Sequence, residues 1–201
     1  MSTSISSVQN PRIKDLLALQ EKSRLRKERG LFVVEGIREI MHCIEGGYRI
    51  TEVFYNPAII NEGKLSLLLH DCSLDDIAIA SVNDYVYEKI SYRGSTEGAL
   101  AVVEARNLEL KCLDAVVKDV RAPFIIVTEE VEKPGNLGAL LRTADACGAD
   151  GVIICNPLTD IYNPNIIRSS LGGLFTNRIA VCSSQQAIKW LKDNRINIYT
   201  A

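Results

Sequence analysis

Hydrophobic and polar positions change period repeatedly along the chain, and the changes mark out alternating helices and strands. Asn10 followed by Pro11 pairs a capping side chain with a proline at a first helical position. Ile13, Leu16, Leu17 and Leu25 then carry an apolar stripe, which predicts a helix over 11–27. Residues 31–34 are a short apolar strand run. Residues 39–45 predict a helix ended by Gly46-Gly47, and 50–55 alternate toward a strand. Segments 65–70, 77–80, 84–90 and 100–103 continue the alternation to about Arg106, enough for a small α/β domain. Residues 107–121 predict a linker holding a short amphipathic helix. Beyond it, strands at 124–128, 151–155, 178–182 and 196–200 alternate with helices near 137–147, 164–171 and 184–193. The predicted organisation is one α/β domain over 1–106, a linker over 107–121, and an open, Rossmann-like α/β domain with a parallel sheet over 122–201.

The densest signals lie in 129–151. Pro134-Gly135-Asn136 breaks the preceding strand and offers Asn136 as a helix cap, and Gly148 stops the helix. Leu137, Leu140, Leu141 and Ala144 fall at i, i+3, i+4 and i+7, one stripe for packing on a sheet, and 151–155 read as the next strand. Arg142 lies beside that stripe, one turn after Gly138. Spacing leaves two readings open for it. Asp145 sits at i+3, so an exposed pair contributing a few tenths of a kcal/mol would account for both residues. Alternatively, the Gly-containing turn brings backbone close to a polynucleotide while the planar guanidinium grips a phosphate or the hydroxyl to be activated. Glu129 and Glu130 sit where ligands gather in open α/β sheets, although solvated loop acids look the same in sequence.

Charge changes the picture locally. The net charge of −2 conceals a first segment, 1–30, with seven Lys or Arg against three acids. Arg24, Arg26, Lys27 and Arg29 are candidates for phosphate contacts with RNA, with a solvated helix face as the ordinary alternative. Six cysteines without C-x-x-C spacing read as reduced core residues, and His42 and His70 lack a second ligand at helical spacing, so no metal site is expected. The polar first residues and the lack of an apolar run of about 20 residues point to a cytoplasmic protein. Gly135-x-x-Gly138 has neither the G-x-G-x-x-G fingerprint nor a P-loop lysine, which disfavours a dinucleotide-dependent oxidoreductase.

Asn136, Gly138, Arg142, Ala146 and Gly148 in NLGALLRTADACGADGVII resemble the first motif of the SpoU/TrmH-type RNA ribose 2′-O-methyltransferases of the SPOUT superfamily. The segments ISSVQNPRIK at 5–14 and GLFVVEG at 30–36 resemble the opening of that family's small RNA-binding domain. The resemblance implies an L30e-like fold for 1–106 and a SPOUT methyltransferase domain from 122. It implies S-adenosylmethionine as cofactor, structured rRNA or tRNA as partner, and a homodimer for the complete protein. Arg142 would assist removal of the hydroxyl proton, positioned by an RNA phosphate, and Asn136 would shape the loop and contact substrate. Arg168, Ser169 and Ser170 in IIRSSLGG resemble the family's second stretch, a Ser-x-Gly turn near the active site, with Ser170 read first as structural. The family's Gly-x-Glu-Gly-like loop and Ser-Leu-Asn knot segment have no counterpart up to Ala201, and Thr96-Glu97-Gly98 lies in the other domain. The expectation is therefore a truncated form whose cofactor residues lie beyond Ala201. The alternative is a non-catalytic RNA-binding protein.

Overall fold

The computed structural model describes residues 3–73, 76–92 and 97–200, so Met1, Ser2, Thr96 and Ala201 lie outside the described residues. The chain divides into two compact units, one of residues 1–106 with 162–164 and one of 107–161 with 165–201.

The first unit runs β1 (Thr3–Ile5), α1 (Pro11–Glu21), α2 (Ser23–Arg29), β2 (Leu31–Glu35), α3 (Ile37–Glu45), β3 (Ile50–Tyr55), α4 (Glu62–Leu68), β4 (Ala78–Val82), α5 (Asp84–Ile90) and β5 (Ala99–Glu104). Its sheet has the order β1-β4-β3-β5-β2, with β5 antiparallel to both neighbours and the other pairs parallel. Strand alternation sends Val33, Phe54, Ala80, Val82, Leu100 and Val102 to one face, where Ile13, Leu16 and Leu19 of α1 and Val86, Tyr87 and Ile90 of α5 cover them. Helix α3, which meets β2 and β5, buries Ile40 and Cys43. Tyr162 also belongs to this unit: its ring stacks on Phe32 at 4.2 Å and its hydroxyl accepts from the Arg106 amide at 3.0 Å.

The helix expected over 11–27 is two helices. Asn10 does cap the first, its side chain accepting from the Arg12 amide at 2.9 Å. At Lys22 the backbone turns extended, φ −104° and ψ 102°. The cause is Arg26. Its guanidinium is buried and donates from Nη1 to the carbonyls of Leu19 at 2.7 Å and Gln20 at 3.0 Å, in the last turn of α1, whose carbonyls have no helical partners. The chain must double back to bring Arg26 there.

In the second unit a 3-10 turn (Leu110–Leu113) leads into α6 (Asp114–Asp119), followed by β6 (Ile125–Glu129), α7 (Pro134–Ala146), β7 (Gly151–Cys155), α8 (Pro164–Ser170), α9 (Gly173–Thr176), β8 (Ile179–Cys182) and α10 (Ser184–Asp193). The sheet is parallel throughout, in the order β6-β7-β8. Central β7 is buried at all five positions, which is why GVIIC is continuously apolar rather than alternating. Ile153, Cys155 and Ala180 pack against Leu113, Val116, Ala187 and Leu191 from the 3-10 turn, α6 and α10. The stretch expected to be a linker thus supplies core to this unit, because Leu113 and Val116 are fully buried. The strand expected over 196–200 is not formed. Its start is tied to α10 by an Ile196 amide bond to the Leu191 carbonyl, no strand among the described residues pairs with it, and Tyr199 stands 89% exposed. Of the six free thiols, Cys43 and Cys155 are buried and Cys112 and Cys147 are exposed, so the core reading fails for the latter two. Among the described residues no helix is long and apolar enough to cross a membrane.

Arg26→Ala should lower unfolding free energy by about 2 kcal/mol, the scale for losing charged hydrogen bonds to buried carbonyls. Lys27→Ala, at an exposed site one residue on, should change it by less than about 0.5 kcal/mol. Urea unfolding of both variants checks the contrast.

Candidate active site

Helix α7 begins at Pro134, with Lys133 at the capping position and no side-chain cap bond. Asn136 is therefore not the cap that its sequence suggests. It lies within the first turn and is exposed. The proline takes the first helical position because its fixed φ suits it and its missing N–H leaves nothing unpaired there.

The stripe differs from expectation by one residue. Leu137, Gly138, Leu141 and Ala144 are buried, while Leu140 is 38% exposed. Gly138 owes its burial to α8. A Cβ on Gly138 would stand 1.9 Å from Ser169 Oγ and 2.9 Å from the Ile166 carbonyl oxygen. Gly173 makes the matching contact from α9, where a Cβ would stand 2.8 Å from the Leu141 carbonyl oxygen and 3.1 Å from the Arg142 nitrogen. Both glycines are steric gaps that let three helices close on one another. The role sequence suggested for the Gly138 region, close approach of backbone to a polynucleotide, is taken at Gly138 by helix packing. Ser170 is buried and its hydroxyl donates to the Ile167 carbonyl at 2.9 Å, the structural role read from sequence.

Arg142 is exposed and makes no hydrogen bond or ion pair among the described residues. The i+3 pair with Asp145 is absent, because Asp145 Oδ1 accepts instead from the Thr176 hydroxyl at 2.6 Å across the α7–α9 contact. A solvent-facing guanidinium one turn beyond the Gly138 crossing is thus left available to a ligand. Asn136 does not share its face. Six residues separate them, about 120° around a helix.

A second polar group sits at the carboxyl ends of the strands. Glu129 ends β6, and its carboxylate accepts from the Ser184 hydroxyl at the start of α10 and from Asn156 Nδ2 at 3.0 Å just after β7. Asn156 Nδ2 also reaches Ser184 Oγ at 2.9 Å. The Ser184 bond, then the Asn156 bond, hold the Glu129 carboxyl below its ordinary pKa. Glu130 and Asn156 both adopt left-handed backbone, φ 48° and 45°, at the turns leaving β6 and β7. Sequence pointed to Glu129 but missed Asn156 and Ser184. The rule that strand ends gather function covers both, yet neither carries a periodic signal of its own. Cys155 and Cys182 face each other in register on β7 and β8; burial raises both thiol pKa values, that of Cys182 to about 11, so neither is a ready thiolate at neutral pH. Among the described residues no group of three His, Cys, Asp or Glu is placed to hold a metal.

The basic run near the N-terminus divides in three. Arg24 pairs with Glu28 at 2.6 Å and Arg29 pairs with Asp15, all at exposed positions or nearly so. Lys27 is exposed, and Arg26 is withdrawn from any ligand by its role at the end of α1.

Gly138→Ala should cost about 1–3 kcal/mol, since the added methyl meets backbone as well as Ser169. Gly135→Ala, with nothing within 4 Å, should be neutral or mildly stabilising in the same urea series. For Glu129 the folded pKa is depressed, so its stabilisation is present above the ordinary carboxylate pKa and is lost as pH falls through the folded value. Ser184→Ala should raise the Glu129 pKa toward the ordinary value, read by carboxyl-carbon NMR titration.

Comparison with known proteins bears on both units. Residues 10–101 match the MRM3-like substrate binding domain and residues 123–201 match the SpoU rRNA Methylase family. A 23S rRNA (uridine(2479)-2′-O)-methyltransferase of Streptomyces viridochromogenes is 29% identical over 188 residues, which are 92% of this chain and 63% of that protein. The chain therefore spans less than two thirds of that relative. The crystal structure of an RNA 2′-O ribose methyltransferase superposes with a TM-score of 0.74 at 30% identity, over 96% of this chain and 70% of that one. The SpoU methyltransferase AviRb of Streptomyces viridochromogenes, solved with its cofactor AdoMet, gives 0.77 at 25% identity over 93% and 69%. With the substrate-binding and methylase matches in the same order as the two units, and a 30% identical structure of which it covers 70%, the chain belongs to the SpoU/TrmH family of RNA ribose 2′-O-methyltransferases.

Proposed function

We propose that the protein methylates a ribose 2′-hydroxyl of structured RNA, with ribosomal RNA ahead of transfer RNA and S-adenosylmethionine as the methyl donor. The observation that carries the reading is Arg142, the arginine of the Asn136-Gly138-Arg142 motif, whose side chain is exposed and has no hydrogen-bond or ion-pair partner among the described residues. The named relative acts on 23S rRNA, which favours that substrate class. The polar side chains at the strand ends, Glu129, Asn156 and Ser184, are bonded to one another and do not form a vacant cradle for the cofactor.

The chemistry left to the chain is to bind and orient the nucleotide. A ribose hydroxyl is a weak nucleophile, and its oxygen must face the methyl donor as its proton departs. With a pKa above about 12, the Arg142 guanidinium stays charged. Its fork holds a phosphate of the target nucleotide in two directions at once, fixing the adjoining ribose and stabilising negative charge as the hydroxyl loses its proton. Arg142 is thus a substrate-gripping residue. Asn136, on another face of α7, contacts RNA or a neighbouring part of the site rather than the same phosphate. The first unit docks RNA through Arg24, Lys27 and Arg29, whose partners Glu28 and Asp15 are exposed and exchangeable for phosphates. We infer a cytoplasmic location and a homodimer for the whole protein on family membership alone.

RNA from cells lacking the protein, incubated with it and the methyl donor, should gain methyl on a ribose oxygen. Methyl on a base, or RNA binding with no transfer, would mean another activity or a purely RNA-binding protein. Arg142→Ala and Arg142→Lys should each lower turnover at least about a hundredfold with the fold intact, because a point ammonium lacks the planar fork. Replacing Arg24, Lys27 and Arg29 with Gln should instead weaken RNA binding and flatten its salt dependence.

A further inference from the structure

In the second unit two of the six cysteines are neighbours by register. Cys155 ends β7, Cys182 ends β8, and the two are Cα partners in a parallel ladder. Directly paired residues of adjacent strands project to the same face. Both side chains accordingly meet the cluster of Leu113, Val116, Ile153, Ala187 and Leu191, Cys155 within it and Cys182 at its margin. Both thiols are free, and beyond the larger effect of burial each shifts the pKa of the other through a side-chain hydrogen bond. In the first unit, by contrast, Cys72 acts on Cys43 through charge alone.

Strand spacing decides what such a pair can do. Adjacent strands lie about 4.8 Å apart, inside the window of about 4.4–6.8 Å that disulfides span between Cα atoms. Paired side chains that leave the strands side by side keep that spacing at Cβ, where a relaxed disulfide sets about 3.8 Å, so closure must draw the two strand ends together. A cross-link closed at that cost is readily reopened by thiols, unlike the disulfides that hold secreted domains. The pull falls on the strand-end polar group. Ser184 follows Cys182 by two residues and hydrogen-bonds both the Cys155 thiol and the Glu129 carboxylate, and the Asn156 amide donates to the Cys182 carbonyl at 2.9 Å.

We propose that Cys155 and Cys182 form a reversible disulfide across the carboxyl ends of β7 and β8, and that its closure loosens the Ser184–Glu129 bond. The oxidant is a low-molecular-weight disulfide. Half-buried Cys182, as thiolate, attacks one sulfur of the oxidant and releases the other half as a thiolate. The Cys155 thiolate then attacks the Cys182 sulfur and expels the second half. Two protein thiols become one disulfide, and the oxidant becomes two thiols that carry away the two protons. With both pKa values raised by burial, closure is slow near neutral pH and quickens as pH rises. The modification is independent of the RNA-directed reading.

The full chain is incubated with oxidised glutathione at about pH 9, where a larger share of these thiols is ionised, then quenched with acid, digested without reduction and mapped by tandem mass spectrometry. A Cys155–Cys182 cross-link should exceed every other intramolecular pair and disappear with dithiothreitol. It should be absent from Cys182→Ser and unchanged in Cys72→Ser. Recovery of Cys182 as a glutathione adduct beside a free Cys155, or of both as free thiols, overturns the proposal. So does a cross-link that persists in excess reduced glutathione, which would make it a permanent staple. In the closed protein the carboxyl-carbon titration of Glu129 should move up toward the ordinary carboxylate value. A Glu129 titration identical in the open and closed protein overturns the link to the strand-end group.

Discussion

The packing of α7 onto α8 and α9 fixes everything that the candidate site can do. Two glycines, Gly138 and Gly173, remove the side chains that would hold these helices apart, and the distances leave no alternative residue at either place. Once the helices meet there, Leu137, Leu141 and Ala144 are committed to the core, Asp145 is committed to Thr176, and Arg142 is committed to solvent. The arginine sits at the edge of that contact face, roughly 40° around the helix from Gly138, with its backbone against Gly173 and its side chain exposed. The strand-end group of Glu129, Asn156 and Ser184 is a separate constraint, tying the exits of three parallel strands together through a single ionised carboxylate.

Much of this was legible in sequence, for identifiable reasons. Segments with a clean period or a cap were read correctly: α5 and α10 at their ends, β3 at both, and the β6-α7-β7 unit that carries Arg142. The exposure of Arg142 followed from its position beside the stripe. Three readings failed where tertiary contacts outrank local pattern. Asn136 looks like a cap because Asn caps helices, yet Pro134 starts the helix two residues earlier. Leu140 fits the heptad, yet Gly138 takes the buried place because the partner is a helix at close range. The break at Lys22 has no local signal, since its cause is a side chain four residues on that reaches back to α1.

Arg26 shows how electrostatic reading from composition goes astray. It stands in a run of basic letters and shares none of their chemistry, because a buried guanidinium with carbonyl partners serves folding. Arg24, Lys27 and Glu28 beside it are exposed, so the run mixes structural and ligand-facing charge within a single helix. In the second unit the reverse holds: Gly138 and Ser169 are far apart in sequence, and the fold sets them in contact.

The glycine contact also has a consequence for how such a protein diverges over evolutionary time. Within one short motif, Gly138 answers to the shape of the fold and Arg142 answers to a ligand, so the two letters are under independent selection. Drift at position 142 leaves a soluble, folded descendant that is free to acquire another role. Drift at position 138 removes the scaffold with the activity and leaves no descendant to be repurposed. A lineage of this kind is therefore expected to shed its chemistry more readily than its architecture, and relatives that keep the glycine but not the arginine are the ones in which a new function should be sought.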